Sequence, residues 1–416
     1  MGFRGRLLLI TALGAAWRVG YLIVAKADQP LLLNDSIYFS IQAGLNSEGQ
    51  WFQEALTGQP GAEHGMLTSL YLTPWSIGAG DSVFPQRLAM TLLGITTVLV
   101  IGLTGRRLAS PMGVAAAERT GLIAAAIAAV YPNLWINDSL VMSEPLAILL
   151  VALALFVAVG HHANPTVGSG ALLGLLTGLG ALTRSEIALL IPGFAIVSLI
   201  SCRRRRMSIW PTVAIVSVGV ATLVPWSVYN LSRFDEPVLL STNDGNTLLG
   251  ANCDISYFDD VGGWDLRCLG PLEAGPDASE RSQQRRDAAF DYVAEHPGRL
   301  PVVVAARAGR LLDVYGLGSL VTLDVGEEKA RWAVWAGIAA WWVLAVAAAV
   351  GWSVLSRAGV GARWWVVVPS AAVVLTAVLF YGAHRIRAPA EPSVVLLSAV
   401  AVDAVLGRRR HGTLVS

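Results

Sequence analysis

Leu140–Gly160 reads LVMSEPLAILLVALALFVAVG, with a single ionisable group, Glu144, near its start. A helix crossing about 30 Å of hydrocarbon needs roughly 20 mostly apolar residues. In lipid the segment must also pair its own backbone polar groups, which a helix does and an isolated strand does not. Nine further stretches meet the same test: Leu7–Ala25, Gln86–Gly105, Thr120–Leu134, Gly168–Leu182, Ile187–Ser201, Ile209–Tyr229, Trp332–Leu355, Trp364–Tyr381 and Pro392–Leu406. The third, fifth, sixth and tenth spans in chain order are short. The expected fold is therefore an all-α polytopic membrane protein of about ten transmembrane helices, with juxtamembrane helices on its outer face and one domain over 1–416.

Composition agrees with that reading. Of 416 residues, 54% are hydrophobic and only 14% charged, against roughly 25% charged in an average soluble domain, and the mean hydropathy is +0.58. A formal charge of +1 gives no basis for nucleic-acid binding, so the placement of charge matters more than its sum. Alternating the ten spans puts Arg4 with Arg6, Arg106 with Arg107, Arg203–Arg206, Arg357 with Arg363, and Arg408–Arg410 on one side. By the positive-inside rule that side is cytoplasmic, and it holds both termini. The opposite side receives two long loops, 26–85 and 230–331, and most of the acids. Within the second loop, Leu300–Leu317 carries Arg307, Arg310 and Asp313 and is expected to be an amphipathic helix lying at the interface. Ala25-Lys26-Ala27 looks like a signal-peptidase site, but the run before it is long and interrupted by Arg18, which argues against cleavage.

Chemistry-bearing residues gather in the outer segments. Asn34-Asp35-Ser36 and Asn137-Asp138-Ser139 place acids beside the membrane, where acids are costly. Both tripeptides also suit helix N-caps. Glu63-His64 offers a carboxylate and an imidazole, which suit either a divalent cation or acid–base work. Arg87, Arg184, His384, Arg385 and Arg387 face the same side. Guanidinium groups there either bind phosphate oxygens in two-point geometry or snorkel to lipid headgroups, and Arg184 with Glu186 forms a simple ion pair on a third reading. Arg18, deeper in the first span, is expected to face an internal polar cavity.

In order and sidedness these residues resemble the glycosyltransferase C superfamily, in particular the bacterial protein-mannosyltransferase-like and aminoarabinose-transferase-like enzymes. The resemblance runs from Asp35 with Tyr38 through Ala62-Glu63-His64, Tyr131-Pro132-Asn133, Asp138, Ser143-Glu144 and Leu182-Thr183-Arg184-Ser185-Glu186. It continues through Pro225-Trp226 with Asn230, Ser241–Asn246 with Gly250 and Asn252, and Arg385–Pro392. It implies transfer of a sugar from a polyprenyl-phosphate donor to an acceptor hydroxyl, with inversion, at the outer face of a bacterial plasma membrane. The acceptor would be an envelope glycan, lipid or protein. On this reading Asp35 is the general base and Asp138 shares the catalytic pocket. Arg87, Arg184, Arg385 and Arg387 bind the donor phosphate, and Glu63 with His64 holds a divalent cation such as Mg, Mn or Zn. Two positions depart from the family pattern. His64-Gly65-Met66 stands where His-Pro-Pro is usual, and Tyr229 stands where an arginine commonly precedes Asn230.

Two other classes compete with this reading. A transporter or lipid flippase also has about ten spans with buried charge, but it usually shows two repeated halves, and no such repeat is evident. A non-catalytic scaffold derived from the same family is the third reading. Cysteine parity tests the topology independently. Cys253 and Cys268 share the large outer loop, where a disulfide is permitted, whereas Cys202 adjoins the Arg203–Arg206 cluster. In intact cells an impermeant thiol reagent is expected to label Cys253 and Cys268 only after reduction, and Cys202 not at all. Labelling of Cys202 from outside would overturn the topology.

Overall fold

The computed structural model describes residues 1–32, 35–54, 58–271 and 277–412, with side chains described to residue 407. Asn34 and the Arg408–Arg410 side chains, both used above, lie outside the described residues. Each of the ten expected stretches forms a helix. They are α1 (Phe3–Tyr21, continued by a π turn at Leu22–Lys26), α4 (Phe84–Leu108), α5 (Val114–Val130), α6 (Glu144–Ala163) and α7 (Val167–Ala181). The rest are α8 (Leu190–Arg204), α9 (Trp210–Leu231), α14 (Arg331–Arg357), α15 (Val368–Leu379) and α16 (Glu391–Gly412). Among the described residues, seven helical segments are long and apolar enough to cross a membrane, and α7 and α15 belong to shorter apolar helices. This is a multi-pass membrane protein.

The remaining helices lie in the loops: α2 (Asp35–Ser47), α3 (Met66–Ser76), α10 (Asn243–Ala251), α11 (Ala278–Glu295), α12 (Leu300–Leu311) and α13 (Leu317–Gly326). No strand occurs among the described residues.

Several boundaries shift by a few residues, and the Trp364–Tyr381 stretch is broken at Val367 into Arg363–Val366 and α15; the end of the third span has a clear local reason. The third span does not run to Leu134 but stops at Val130, because Tyr131 is extended (φ −67°, ψ 116°) ahead of Pro132. The residue before a proline is disfavoured in the α region. The chain then makes a short turn of helix at Pro132–Trp135 before α6 begins at Glu144.

Packing between the spans relies on small residues, as expected where lipid removes the hydrophobic drive and close van der Waals contact replaces it. Gly170, Gly174 and Gly178 of α7 press on the backbone of α9. A Cβ at Gly174 would lie 2.4 Å from the Ile215 carbonyl oxygen, and one at Gly170 would lie 2.2 Å from that of Pro211. Gly351 of α14 meets the Leu397 carbonyl of α16 in the same way. On its outer surface α9 exposes Val213, Val216, Val220, Val224 and Val228, a stripe at helical spacing that suits contact with lipid tails.

Arginines at one end of this bundle are held together. Arg106 lies over the Phe3 ring at 4.4 Å, Arg107 donates to the Phe156 carbonyl, and Arg205 donates to the His162 carbonyl. Arg106 thus reaches the start of α1, and Arg107 and Arg205 both meet α6, which joins the Arg106–Arg107 and Arg203–Arg206 clusters in space.

The described part of 230–331 carries α10 to α13. Cys253 and Cys268 are disulfide-bonded, and Cys202 is free and buried. The stretch Leu300–Leu317, expected to be one amphipathic helix, stops at Leu311 as α12; Asp313 (φ 56°) and Gly316 (φ 66°) adopt left-handed backbone before α13 starts at Leu317. At 12 residues α12 is about 18 Å long, short of a span. Its arginines point inward. Arg307 donates to Ala251 O and to Val378 O and Leu379 O. It thus sits between the C-terminal ends of α10 and α15, whose partial negative charge it neutralises.

Replacing Gly174 by Leu is expected to force α7 from α9 and cost about 1–3 kcal/mol, read as a lower thermal midpoint in detergent. Gly168→Ala, where a side chain would meet nothing within 4 Å, should leave that midpoint unchanged or raise it.

Candidate active site

Asp35 opens α2, and its position is set from outside the helix. Ser36 Oγ donates to Glu328 Oε1 at 2.8 Å, and Leu32 N donates to the same oxygen at 3.1 Å. Glu328 is in turn held by Arg87 Nη2 at 2.7 Å. The Leu32 backbone and the Ser36 side chain, on either side of Asp35, are thus tied to a buried ion pair, while the Asp35 side chain keeps a quarter of its surface accessible.

His64 precedes α3 and turns its Nε2 toward Asp35 Oδ1 at 3.5 Å. Its ring packs on Tyr38 and Phe39. The glycine that follows has a clear reason. A Cβ on Gly65 would lie 2.5 Å from Leu182 O and 2.7 Å from Thr183 O, so this loop rests directly on the turn that carries Arg184. The His-Gly-Met departure is therefore a close backbone approach. The Tyr229 departure also has a counterpart in space. Arg233, one helical turn later, lies 4.5 Å from the Tyr229 ring centroid and donates to Phe52 O and Gly61 O. Its guanidinium fastens the first outer loop to the end of α9.

Around Asp35 the cations and acids interlock. Arg385 Nη2 meets Asp35 Oδ2 at 2.5 Å, Nη1 meets Glu327 Oε1 at 3.0 Å, and Nε lies 3.2 Å from Glu144 Oε1. The same Glu144 oxygen takes Arg184 Nη1 at 2.6 Å, and Arg184 Nε bonds Glu186 at 2.6 Å. The simple Arg184–Glu186 pair is present, but it is one edge of a larger network. From Glu327 the chain of contacts continues through Lys329, Asp324, His384, Asp313 and Arg387 to Glu391. Burial alone would raise the Asp35 carboxyl, but Arg385 and His64 outweigh it and hold the group well below the usual carboxylate range. The His64 imidazole is pulled down by burial and raised overall by Asp35. Burial pushes the Glu63 carboxyl up.

The structure thus brings Asp35, His64, Arg184 and Arg385 together, with Glu63 beside His64. It engages three others elsewhere. Arg87 is fully buried on Glu328, Ser139 O and Gln29 O. Arg387 is buried on Asp313, Glu391 and Leu311 O. Asp138 bonds Arg18 Nε at 2.5 Å, and Arg18 also donates to Ala128 O and Ala129 O at the end of α5. Arg18 therefore faces a single acid and a set of carbonyls. Asp138 does not act as a cap, and Gly94 leaves the space its carboxyl fills.

Sequence reasoning missed Glu144 as a site residue, together with Asp324, Glu327 and Lys329. A signal for the last three was present, since Asp324-Val325-Gly326-Glu327-Glu328-Lys329 crowds four charges against the mouth of a span.

As for a metal, the described residues that bring three carboxylate or imidazole ligand atoms within 4.8 Å of one another are Asp235, Asp277 and Glu280. They lie in the 230–331 loop, where Asp277 also caps α11. Among the described residues Glu63 and His64 are not part of such a three-ligand group, and His64 Nε2 faces Asp35 Oδ1 at 3.5 Å.

Residues 73–229 match the dolichyl-phosphate-mannose-protein mannosyltransferase family. Over 99% of its length the chain superposes on the apo oligosaccharyltransferase of Archaeoglobus fulgidus, with a TM-score of 0.57, 12% identity and 52% of that protein covered. The chain has the glycosyltransferase C fold. The complex of the archaeal AglB with an inhibitory peptide and a dolichol-phosphate gives a TM-score of 0.52 at 12% identity, covering 99% of this chain and 51% of that one. A complex of the archaeal enzyme with Zn and sulfate gives 0.51 at 12% identity, covering 98% and 50%. The chain therefore spans about half the length of these oligosaccharyltransferases. Its relatives are glycosyltransferases that use lipid-linked donors. Comparison of the sequence with curated proteins finds no match.

Glu144 is the shared counter-ion of two guanidinium groups and is almost fully buried. Glu144→Ala is expected to cost about 3–5 kcal/mol, because it leaves buried charge uncompensated. Glu186→Ala, at a more exposed edge of the network, should cost less. Thermal unfolding of the two variants side by side makes the comparison.

Proposed function

We propose that this protein transfers a sugar from a polyprenyl-phosphate donor to an acceptor hydroxyl at the outer face of a bacterial plasma membrane. The observation that carries the reading is the convergence of Asp35 with Arg385 and Arg184 at one part-exposed mouth of the bundle. That arrangement supplies the two things such a transfer needs: a carboxylate to take the acceptor proton and fixed cations where charge grows on the leaving phosphate.

Asp35 acts as general base. The acceptor oxygen forms its bond to the anomeric carbon as the bond to the phosphate oxygen breaks, and the proton passes to Asp35. One displacement inverts the anomeric centre. Arg184 and Arg385 meet the leaving phosphate, whereas Arg87 orders the backbone around Asp35 through Glu328. Arg387 and Asp138 support the walls of the site from within their own ion pairs.

A small, mostly apolar crevice between α8 and α15 marks the side on which the lipid is placed. It is lined by Ile187, Leu190, Pro369, Val373 and Pro389, with Glu186 and Thr376 as its polar members. Glu186 is the partner of Arg184, so a tail lying against this face would bring its phosphate near that arginine. The outer loop 230–331 covers the site and contacts the acceptor, which is an envelope glycan, lipid or protein.

Purified protein incubated with radiolabelled polyprenyl-phosphate sugars and membrane extract is expected to form a labelled product. Asp35→Asn should lower the rate by about 10²-fold or more, and Arg184→Ala by a similar factor. Transfer untouched by Asp35→Asn would remove Asp35 as the base. Uptake of label into sealed vesicles with no new bond would favour a transporter.

A further inference from the structure

The acid assigned as base has both of its oxygens engaged. Oδ2 of Asp35 takes Arg385 Nη2 at 2.5 Å, and Oδ1 faces His64 Nε2 at 3.5 Å. A base must point a free lone pair at the proton it removes, within about 2.6–3.2 Å. In this arrangement the guanidinium takes one lone-pair direction of Oδ2 and offsets the carboxylate charge, which leaves Asp35 a poorer proton acceptor than it would be alone.

Arg385 is also held by others. Glu327 lies 3.0 Å from Nη1 and Glu144 3.2 Å from Nε. Three carboxylates from three distant segments therefore share one cation. That cation stands beside Arg184, which shares Glu144 with it. A phosphate monoester entering here competes for the same planar donors with oxygens of matching geometry.

The two partners of the Asp35–Arg385 pair are not equally free to move. Asp35 begins a helix whose first turn is pinned by Ser36 and Glu328. Arg385 reaches it with a long side chain that has several rotatable bonds, whereas Asp35 has a short one at a pinned helix start, so the guanidinium is the partner that shifts.

We propose that Arg385 is a donor-operated clamp on Asp35. Without polyprenyl phosphate the guanidinium closes Oδ2. When the phosphate arrives it draws the guanidinium off and frees the carboxylate, so the donor binds before an acceptor can be activated. After transfer the polyprenyl phosphate still holds Arg385, and its release resets the clamp. This inference rests on the assignment of Asp35 and Arg385 given above, and adds that the two compete.

Competition for one guanidinium has a reciprocal consequence. Whatever the clamp costs the donor must reappear as tighter binding when the clamp is removed. The test measures binding of undecaprenyl phosphate to the full chain in zwitterionic lipid nanodiscs, with no acceptor present. Asp35→Asn, which keeps the shape and removes the charge, is expected to bind about 5- to 30-fold more tightly than wild type. Glu63→Gln removes a nearby acid that does not bond Arg385, and should change binding by less than about twofold on the same scale. In an Arg385→Gln background, Asp35→Asn should have no further effect, because the pair that couples them is gone.

Equal affinity in wild type and Asp35→Asn overturns the clamp. Equal tightening by Asp35→Asn and Glu63→Gln also overturns it, since general charge then suffices. Binding to neither wild type nor Asp35→Asn removes the lipid-phosphate reading itself, and the clamp with it.

Discussion

The structure depends on one constraint: charges placed against a membrane core must be paired. Helices from remote parts of the chain bring Asp35, Glu144, Arg184, Glu327, Lys329, His384, Arg385 and Glu391 to one end of the bundle. An isolated charge there would be far more costly than one in water. Each group is tolerated because its neighbour is present, so the α6 start, the Arg184 turn, the segment before α14 and the segment before α16 have to meet. The convergence that suits chemistry is also the convergence that closes this end of the fold.

Elsewhere the bundle is built on a different principle. The α7–α9 and α14–α16 contacts are backbone against backbone through Gly170, Gly174 and Gly351. They carry no titratable group and hold their geometry through shape alone. This separation lets the site keep awkwardly charged, part-exposed side chains without loosening the spans beneath it. The disulfide-bonded loop 230–331 is fastened separately, with Arg307 between two helix ends and Arg233 on the first outer loop.

Much of this architecture was legible in the sequence, because a membrane span is a local property. Length and apolarity located the ten helices, and the Arg106–Arg107 and Arg203–Arg206 clusters meet around α6. The third span was misjudged by a few residues, since a continuous apolar run hid the effect of Pro132 on Tyr131. The loop helices were harder to read. Leu300–Leu317 looks like one amphipathic helix, but its arginines are buried on carbonyls contributed by residues 55 to 72 positions away. No periodicity can show that a polar face will meet helix ends. The Asp324–Lys329 segment was overlooked because a cluster of charge usually signals solvent, whereas here it is buried among partners from other elements.

The two Asn-Asp-Ser tripeptides show where sequence reading reaches its limit. Asp35 and Asp138 sit in the same local motif beside the membrane, and each ends on an arginine at 2.5 Å. What separates them is the freedom of that arginine. Arg18 is buried within α1, with its other donors spent on the Ala128 and Ala129 carbonyls, so it has nowhere to go and Asp138 stays committed. Arg385 is divided among three acids at a part-exposed site, and it is there that the proposed competition with a phosphate would act. A carboxylate available for reaction needs a partner able to leave it. That property belongs to the surroundings of the second residue, and nothing in the tripeptide encodes it.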